Sequence, residues 1–278
     1  MLIKEIKELK NLKTFSFNNK NYKKLKQKLI KKIKIKFNKN NKKIFLNRNF
    51  SFYHQKISFG NISSLNLLEI DELLIFLFYI NNHSKYKKFI DIGANIGLHS
   101  IIMSRLGLKV FSYEPDPWHV NLMRKNIKMN CAKNIKIHQC AISSKNKICS
   151  FTRVLGNTTG SHISGAKKNV YNEINKFKVK VLSAKKIINK KNLIKIDAEG
   201  EEAKIINSLS RDTLISNDFI CEVGNKENAK IIFDKLKSLN INSFSQKNYF
   251  KIVKKISDIP ISYKEGSLFI SSKNIWKL

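Results

Sequence analysis

The chain has 278 residues, of which 42% are hydrophobic and 10% aromatic. This composition excludes a disordered protein and allows one large α/β domain with an appendage. The net charge of +34 comes from 49 lysines but only five arginines, a bias typical of an AT-rich coding sequence. Because nucleic-acid readers recruit arginine for bidentate contacts, this charge supports nucleic-acid binding only weakly, and a nucleic-acid partner is not expected.

The first 60 residues hold a disproportionate share of the charge, with 18 basic and two acidic side chains. Residues 1–45 show the apolar spacing of a lysine-rich helix, and residues 44–60 alternate like a hairpin or extended segment. We therefore predict a basic amino-terminal extension over 1–60 and a domain over 61–278. The extension reads as a solvated helical appendage, although its charge is compatible with peripheral contact to an anionic membrane.

The chain start, MLIKEIKELK, lacks the apolar core of a signal peptide, and the apolar run LLIFLFYI is too short to span a bilayer. We expect a cytoplasmic protein. The four cysteines form no C-x-x-C pair and stand beside no histidines at zinc-ligand spacing, so neither disulfides nor a metal site is expected.

Strands and helices alternate from residue 87 onward, after a helix predicted over 64–80. In the glycine turn Asn95 is a candidate helix cap, and Asp116 precedes a helix with Pro117 at its first position. A further helix is predicted over 226–239. The predicted strands and extended runs are 87–93, 108–115, 135–143, 147–154, 177–183, 192–200, 218–224 and 267–272. The alternation predicts a doubly wound α/β fold with a mostly parallel, Rossmann-like sheet.

Three strand ends carry residues suited to a ligand site. The first strand runs into Asp91-Ile-Gly93-Ala94-Asn95-Ile-Gly97, the second ends at Glu114, and the fourth ends at Asp197-Ala-Glu199-Gly200. Ligands of such sheets bind at the carboxyl ends of the strands, where a carboxylate can accept both ribose hydroxyls. The glycine spacing departs from G-x-G-x-x-G of nicotinamide enzymes, which makes an oxidoreductase a distant alternative.

The segments FIDIGANIGLHS (89–100), YEPDPWHVNLMRKNI (113–127), CAIS (140–143) and LIKIDAEGEEAKII (193–206) resemble the FkbM family of methyltransferases. The resemblance runs in order over about residues 87–224. It implies a class I methyltransferase fold, S-adenosylmethionine as cofactor, and methyl transfer, generally to oxygen, on a glycan or secondary metabolite.

The resemblance also implies a cofactor site. Asp91, Gly93, Ala94, Asn95 and Gly97 would form its turn and methionine part, and Glu114 would hold the ribose with Pro115 and Asp116 close by. Cys140 and Ala141 would pass the adenine ring. Trp118 is a candidate for stacking near adenine, although helix packing is the more common role for such a residue. His99 departs from the family, which commonly has an aromatic residue there.

For catalysis, Asp197 is the preferred base or acceptor-orienting carboxylate, with helix capping as its alternative role. Glu199 is a candidate for acceptor binding. His162, in the polar loop 156–164, is an alternative general base, and Glu222 is a candidate supporting carboxylate.

These residues predict methylation of a hydroxyl on a small-molecule or glycan acceptor. The alternatives are an RNA methyltransferase that uses the basic surface and a non-catalytic binding module with the same fold.

Overall fold

The computed structural model describes residues 70–155, 160–166, 173–248 and 250–273, together with short segments nearer the amino terminus. Among those segments are two antiparallel strand pairs. One joins β1 (Lys43–Phe45) to β2 (Ser51–Tyr53), in agreement with the predicted hairpin, and the other joins β3 (Ser58–Phe59) to β4 (Ile62–Ser63). The predicted helix over residues 1–45 lies almost entirely outside the described residues.

The main sheet has eight strands, and its centre is parallel. Its strands are β5 (Lys88–Ile92), β6 (Lys109–Tyr113), β7 (Ile135–His138), β12 (Asn192–Ile196), β13 (Asp218–Cys221), β14 (Ser243–Ser245), β15 (Lys251–Ile252) and β16 (Leu268–Ile270). The spatial order is β7-β6-β5-β12-β13-β16-β14-β15, with β16, β14 and β15 antiparallel at one side.

Helices cover both faces of this sheet. The helices are α1 (Ile70–Asn82), α2 (Leu98–Arg105), α3 (Pro117–Met129), α4 (Ala184–Ile187), α5 (Glu202–Ser208), α6 (Arg211–Ile215) and α7 (Lys226–Ser238). On one face Tyr79 of α1 packs against Phe89 of β5, while on the other face Ile205, Leu214 and Ile232 join the strands in a fully buried apolar cluster. Two covered faces explain why the central strands read as nearly continuous apolar runs. The predicted doubly wound α/β fold is confirmed.

A second sheet is inserted between β7 and β12. Its order is β10-β9-β11-β8, formed by β8 (Ala141–Ser143), β9 (Lys147–Val154), β10 (His162–Ile163) and β11 (Ile174–Ser183). The single strand predicted over 135–143 is therefore wrong, because the chain leaves the main sheet after His138 and enters the second sheet at Ala141. The extended runs predicted at 147–154 and 177–183 pair with each other in this sheet.

The carboxyl-terminal strands differ from a simple alternation of parallel strands and helices. The predicted last strand is β16, which pairs antiparallel with both β13 and β14. β14 and β15 were not predicted, since each is too short to show a clear pattern. In the described part of the chain, no helix is long and apolar enough to cross a membrane.

Candidate active site

The glycine turn after β5 brings two strand ends into direct contact. Gly93 has a positive φ of 76° and its N–H donates to the Tyr113 carbonyl at 2.9 Å. A Cβ added at Gly93 would lie 1.8 Å from the Asp197 carbonyl oxygen. Only glycine fits there, so Gly93 determines how closely the ends of β5 and β12 approach each other.

Two details of the turn differ from the sequence interpretation. Residue 97, not 95, occupies the cap position of α2, and Asn95 forms no side-chain capping bond there. Gly97, which the resemblance places in the cofactor turn, does not line the cleft. It faces α3, where an added Cβ would lie 2.6 Å from Met123 Cγ. Ala94 is buried and its N–H donates to the Tyr113 carbonyl, so it shapes the turn through its backbone.

Glu114 lies at the end of β6 and is 5% exposed. Its Oε2 accepts the Asn95 backbone N–H at 2.8 Å, and its Oε1 accepts the Asp116 backbone N–H at 2.9 Å. The Nδ1 atom of His119 lies 3.4 Å from the same Oε1. Main-chain donors therefore hold this carboxylate in one orientation. His119 was missed by the sequence interpretation, because a histidine inside a helix carries no pattern that points to the cleft.

Asp116 caps α3 as predicted, accepting the Trp118 N–H at 2.8 Å. It also makes a bidentate pair with Arg153 of β9, with nitrogen–oxygen distances of 2.7 and 2.5 Å. Asp116 is fully buried, and the Arg153 guanidinium lies over the Phe177 ring. Asp116 thus ties the second sheet to the start of α3, a tertiary contact that the sequence interpretation did not anticipate.

A cleft opens at the carboxyl ends of β5, β6 and β12, under the edge of the second sheet. It is lined by Ile92, Gly93, Asn95, Tyr113, Glu114, Pro115, His119, Ala141, Ile142, Phe151, Ser161, Ile163, Asp197, Ala198 and Glu199. The three strand-end motifs singled out in the sequence therefore meet at one site. Burial and the nearby Cys140 raise the pKa of the lining Tyr113 to about 12.

Several candidates lie away from the lining of this cleft. Cys140 packs in the main apolar cluster, where burial raises its pKa to about 11, and its neighbour Ala141 faces the cleft instead. His162 is buried in β10 and its Nδ1 lies 2.9 Å from the Gly160 carbonyl, whereas Ser161 and Ile163 on either side line the cleft. Trp118 is 37% exposed beside His119.

Asp197 follows β12 on the floor of the cleft, and its Oδ2 accepts a hydrogen bond from Lys195 Nζ at 2.9 Å. The Lys195 side chain is only 7% exposed, in the middle of a central strand. Burial lowers the pKa of Lys195, but the carboxylates of Asp197, Asp91, Glu72 and Glu222 outweigh it and raise the pKa well above its usual range. A buried ammonium ion therefore fixes one oxygen of the candidate base.

The loop after Asp197 is held by a second buried carboxylate, Glu202. Its oxygens accept the N–H groups of Ala198 at 2.9 Å and of Gly200 at 3.1 and 3.0 Å. These bonds keep Glu199 in a left-handed conformation with a φ of 51° at the cleft wall. Burial raises the pKa of Glu202 to about 7, although the backbone donors oppose the shift.

Glu222 and His99 complete the polar surroundings of this region. Glu222 is half-buried after β13, and burial together with the Asp197 and Glu199 carboxylates raises its pKa well above the usual range. His99 is buried on α2, with Nδ1 3.0 Å from the Tyr79 hydroxyl and Nε2 2.9 Å from Glu72 Oε2. His99 thus links α2 to α1 and does not line the cleft.

The protein-family model described as the methyltransferase FkbM domain matches residues 91–240, which is more than half of the chain. The chain belongs to the FkbM methyltransferase family. No protein among curated sequences matches this methyltransferase. Solved structures to which the chain is similar include three of low sequence identity and low TM-score.

The precorrin-6y C5,15-methyltransferase of Geobacter metallireducens GS-15 is 13% identical, with 69% of this chain and 84% of that chain covered at a TM-score of 0.37. The ribosomal protein L11 methylase of Lactobacillus delbrueckii subsp. bulgaricus is 12% identical, with 72% and 76% covered at 0.39. The amino-terminal domain of human METTL16, in complex with SAH, is 15% identical, with 73% and 70% covered at 0.36.

The cofactor of this methyltransferase is S-adenosylmethionine, and the polar groups of the turn fit it. Asp91 is fully buried and is not among the residues that line the cleft. Its Oδ2 accepts a hydrogen bond from Ser100 at 2.5 Å, but its Oδ1 accepts none within the described residues. The same holds for the buried Oδ1 of Asn95. Buried acceptors without partners are costly. Asn95 lines the cleft, and the amino and hydroxyl groups of the cofactor are donors that would satisfy its acceptor.

Proposed function

We propose that this methyltransferase methylates a hydroxyl oxygen of a small-molecule or glycan acceptor in the cytoplasm. The observation that supports the proposal is the single cleft that brings Glu114, the Gly93 turn and Asp197 together. Glu114 would accept hydrogen bonds from the ribose of the cofactor. Asp197, on the floor of the cleft, would bind the acceptor hydroxyl. The four cysteines are free thiols, which suits a reducing compartment.

In the proposed complex, Gly93, Asn95 and Glu114 would hold the cofactor in the cleft, while Asp91 is buried at the start of the turn. The sulfonium of the bound cofactor would supply an electrophilic methyl group. Asp197 would accept a hydrogen bond from the acceptor hydroxyl and take its proton, while the methyl–sulfur bond breaks and the carbon–oxygen bond forms. Because Lys195 occupies Oδ2, the other carboxylate oxygen is the one that faces the acceptor. A base placed in this way typically contributes 10²–10⁴-fold to the rate.

The upper wall of the cleft is apolar, and it supports a reaction protected from water. Three residues of the second sheet line this wall, namely Ile142, Phe151 and Ile163. All three are buried. Exclusion of water keeps the acceptor aligned for in-line transfer and strengthens electrostatic interactions in the cleft. Glu199 lines the same cleft and is the candidate for binding acceptor hydroxyl groups.

Calorimetric titration with S-adenosylhomocysteine tests the cofactor site, with Glu114→Ala as the variant. We expect one-to-one binding by the wild-type protein and at least a tenfold loss in the variant, since two ribose hydrogen bonds are removed. A folded wild-type protein that does not bind this ligand would support a non-catalytic module and overturn the proposal.

A labelling experiment tests the acceptor class. The protein is incubated with methyl-labelled S-adenosylmethionine and separate glycan, small-metabolite and RNA fractions of a cell extract. We expect label in the glycan or metabolite fraction, and none with Asp197→Asn, which keeps its affinity for S-adenosylhomocysteine. Ribonuclease-sensitive label in the RNA fraction would show that the proposed acceptor is wrong.

A further inference from the structure

His119 is a buried side chain of the cleft that lies beside Glu114. It lies in the first turns of α3, is 3% exposed, and lines the cleft at the end where Glu114 lies. Its Nδ1 atom is 3.4 Å from Glu114 Oε1, longer than the 2.7–3.2 Å of an ordinary hydrogen bond. Glu114 does not need this contact, because backbone N–H groups already hold each of its oxygens.

The number of acceptor sites on the carboxylate limits what can bind there. Two carboxylate oxygens offer about four lone-pair sites, and Asn95, Asp116 and His119 already direct three donors at them. Two ribose hydroxyls would bring the number of donors to five. One donor must therefore leave when a diol binds, and the long contact from His119 is the weakest of the three.

The imidazole N–H of His119 points to the place where a ribose hydroxyl would reach Glu114 Oε1. The oxygen of the ribose hydroxyl that displaces it from Oε1 can accept this N–H, since a hydroxyl both donates and accepts. We infer that His119 is a second ribose-binding residue, which donates from Nδ1 to a ribose hydroxyl that in turn donates to Glu114. This inference rests on the proposed cofactor role of Glu114.

Calorimetry with two ligands tests this inference on the full chain. The ligands are S-adenosylhomocysteine and its 2′,3′-dideoxy analogue, and the variants are His119→Phe, which removes the donor, and His119→Asn, whose amide N–H replaces Nδ1–H. We expect His119→Phe to bind S-adenosylhomocysteine roughly tenfold more weakly, as for the loss of one hydrogen bond. The analogue should bind equally to wild type and His119→Phe, and His119→Asn should retain most of the affinity for S-adenosylhomocysteine.

The matched control is His83→Phe. His83 lies in the short turn His83–Lys85, which precedes the amino-terminal end of β5, whereas the cleft lies at the carboxyl ends of the strands. Its Nδ1 contacts the Ile80 carbonyl. This control should bind both ligands like the wild type. If His119→Phe fails to fold, as judged by thermal unfolding, His119→Ala takes its place because it adds no volume.

The outcomes separate the inference from the proposed function. If His119→Phe weakens both ligands equally, or neither, the assignment of His119 to the ribose is wrong while the cofactor site stands. If the wild-type protein binds S-adenosylhomocysteine but Glu114→Ala binds it equally well, the ribose role of both residues is overturned. If the wild-type protein binds no ligand, the proposed function fails as well.

Discussion

The two ends of the cleft hold their carboxylates by different means. At the β6 end, backbone N–H groups of Asn95 and Asp116 fix Glu114. At the β12 end, side chains form the hydrogen bonds instead: Lys195 donates to Asp197, and Glu202 accepts from the loop that follows Asp197. Backbone donors keep their charge state at every pH, whereas Glu202, whose pKa is about 7, changes its charge near neutral pH. The acceptor end should therefore respond to pH and to single charge changes more strongly than the cofactor end.

The largest effect is expected from Lys195→Met. The variant leaves Asp197 and the neighbouring buried Asp91 without the ammonium ion that balances them. Removing one partner of a buried ion pair typically costs 3–5 kcal/mol of the free energy of unfolding. Urea denaturation at pH 7 measures this loss, and the double variant Lys195→Met/Asp197→Asn should recover part of it. If the single variant loses less than about 1 kcal/mol, the acceptor end is not held by charge.

Glu202→Gln tests the pH dependence of the same end. The pKa of Glu202 is raised from 4.5 to about 7 in the folded protein. Between these values the folded state binds more protons than the unfolded state, so this group makes stability fall as pH rises from about 4.5 to about 7. The total loss is about 3 kcal/mol. A glutamine imitates the protonated carboxyl group and removes this part of the dependence.

The measurement is the free energy of unfolding of both proteins at pH 4.5 and pH 7.5. We expect Glu202→Gln to be more stable relative to the wild type at the higher pH. Parallel curves for the two proteins would contradict the raised pKa. Glu227→Gln, an exposed change in the first turn of α7, is the matched control and should follow the wild-type curve.

The same contrast between backbone and side chain explains which parts of the molecule the sequence predicted. Gly93 and Glu114 could be found because turns and strand ends have local sequence patterns. Lys195 was missed, although a lysine between two isoleucines in the buried run NLIKI is itself a signal of a buried charge. The pair of Asp116 with Arg153 joins residues 37 positions apart, and its formation depends on the second sheet, which no local pattern predicts.

The chain's departure from the main sheet after His138 was missed for a related reason. IKIHQCAIS alternates and buries residues like one strand, and the local pattern does not show that the chain changes sheets at Gln139 and Cys140. The main sheet itself was predictable because each of its central strands is bounded by turn residues and followed by an amphipathic helix.

The smallest effect is expected from Glu222→Gln. Burial and the Asp197 and Glu199 carboxylates raise the pKa of Glu222 well above its usual range. This shift favours the neutral acid, which glutamine matches in shape and charge. Urea denaturation at pH 5 should show a change within about 0.5 kcal/mol. Asp197→Asn is the informative partner, since it removes the charge that Lys195 balances. A loss of about 2 kcal/mol or more for Glu222→Gln would mean that Glu222 is ionised and shares Lys195 with Asp197. Glu222 would then be a further charged carboxylate at the acceptor end.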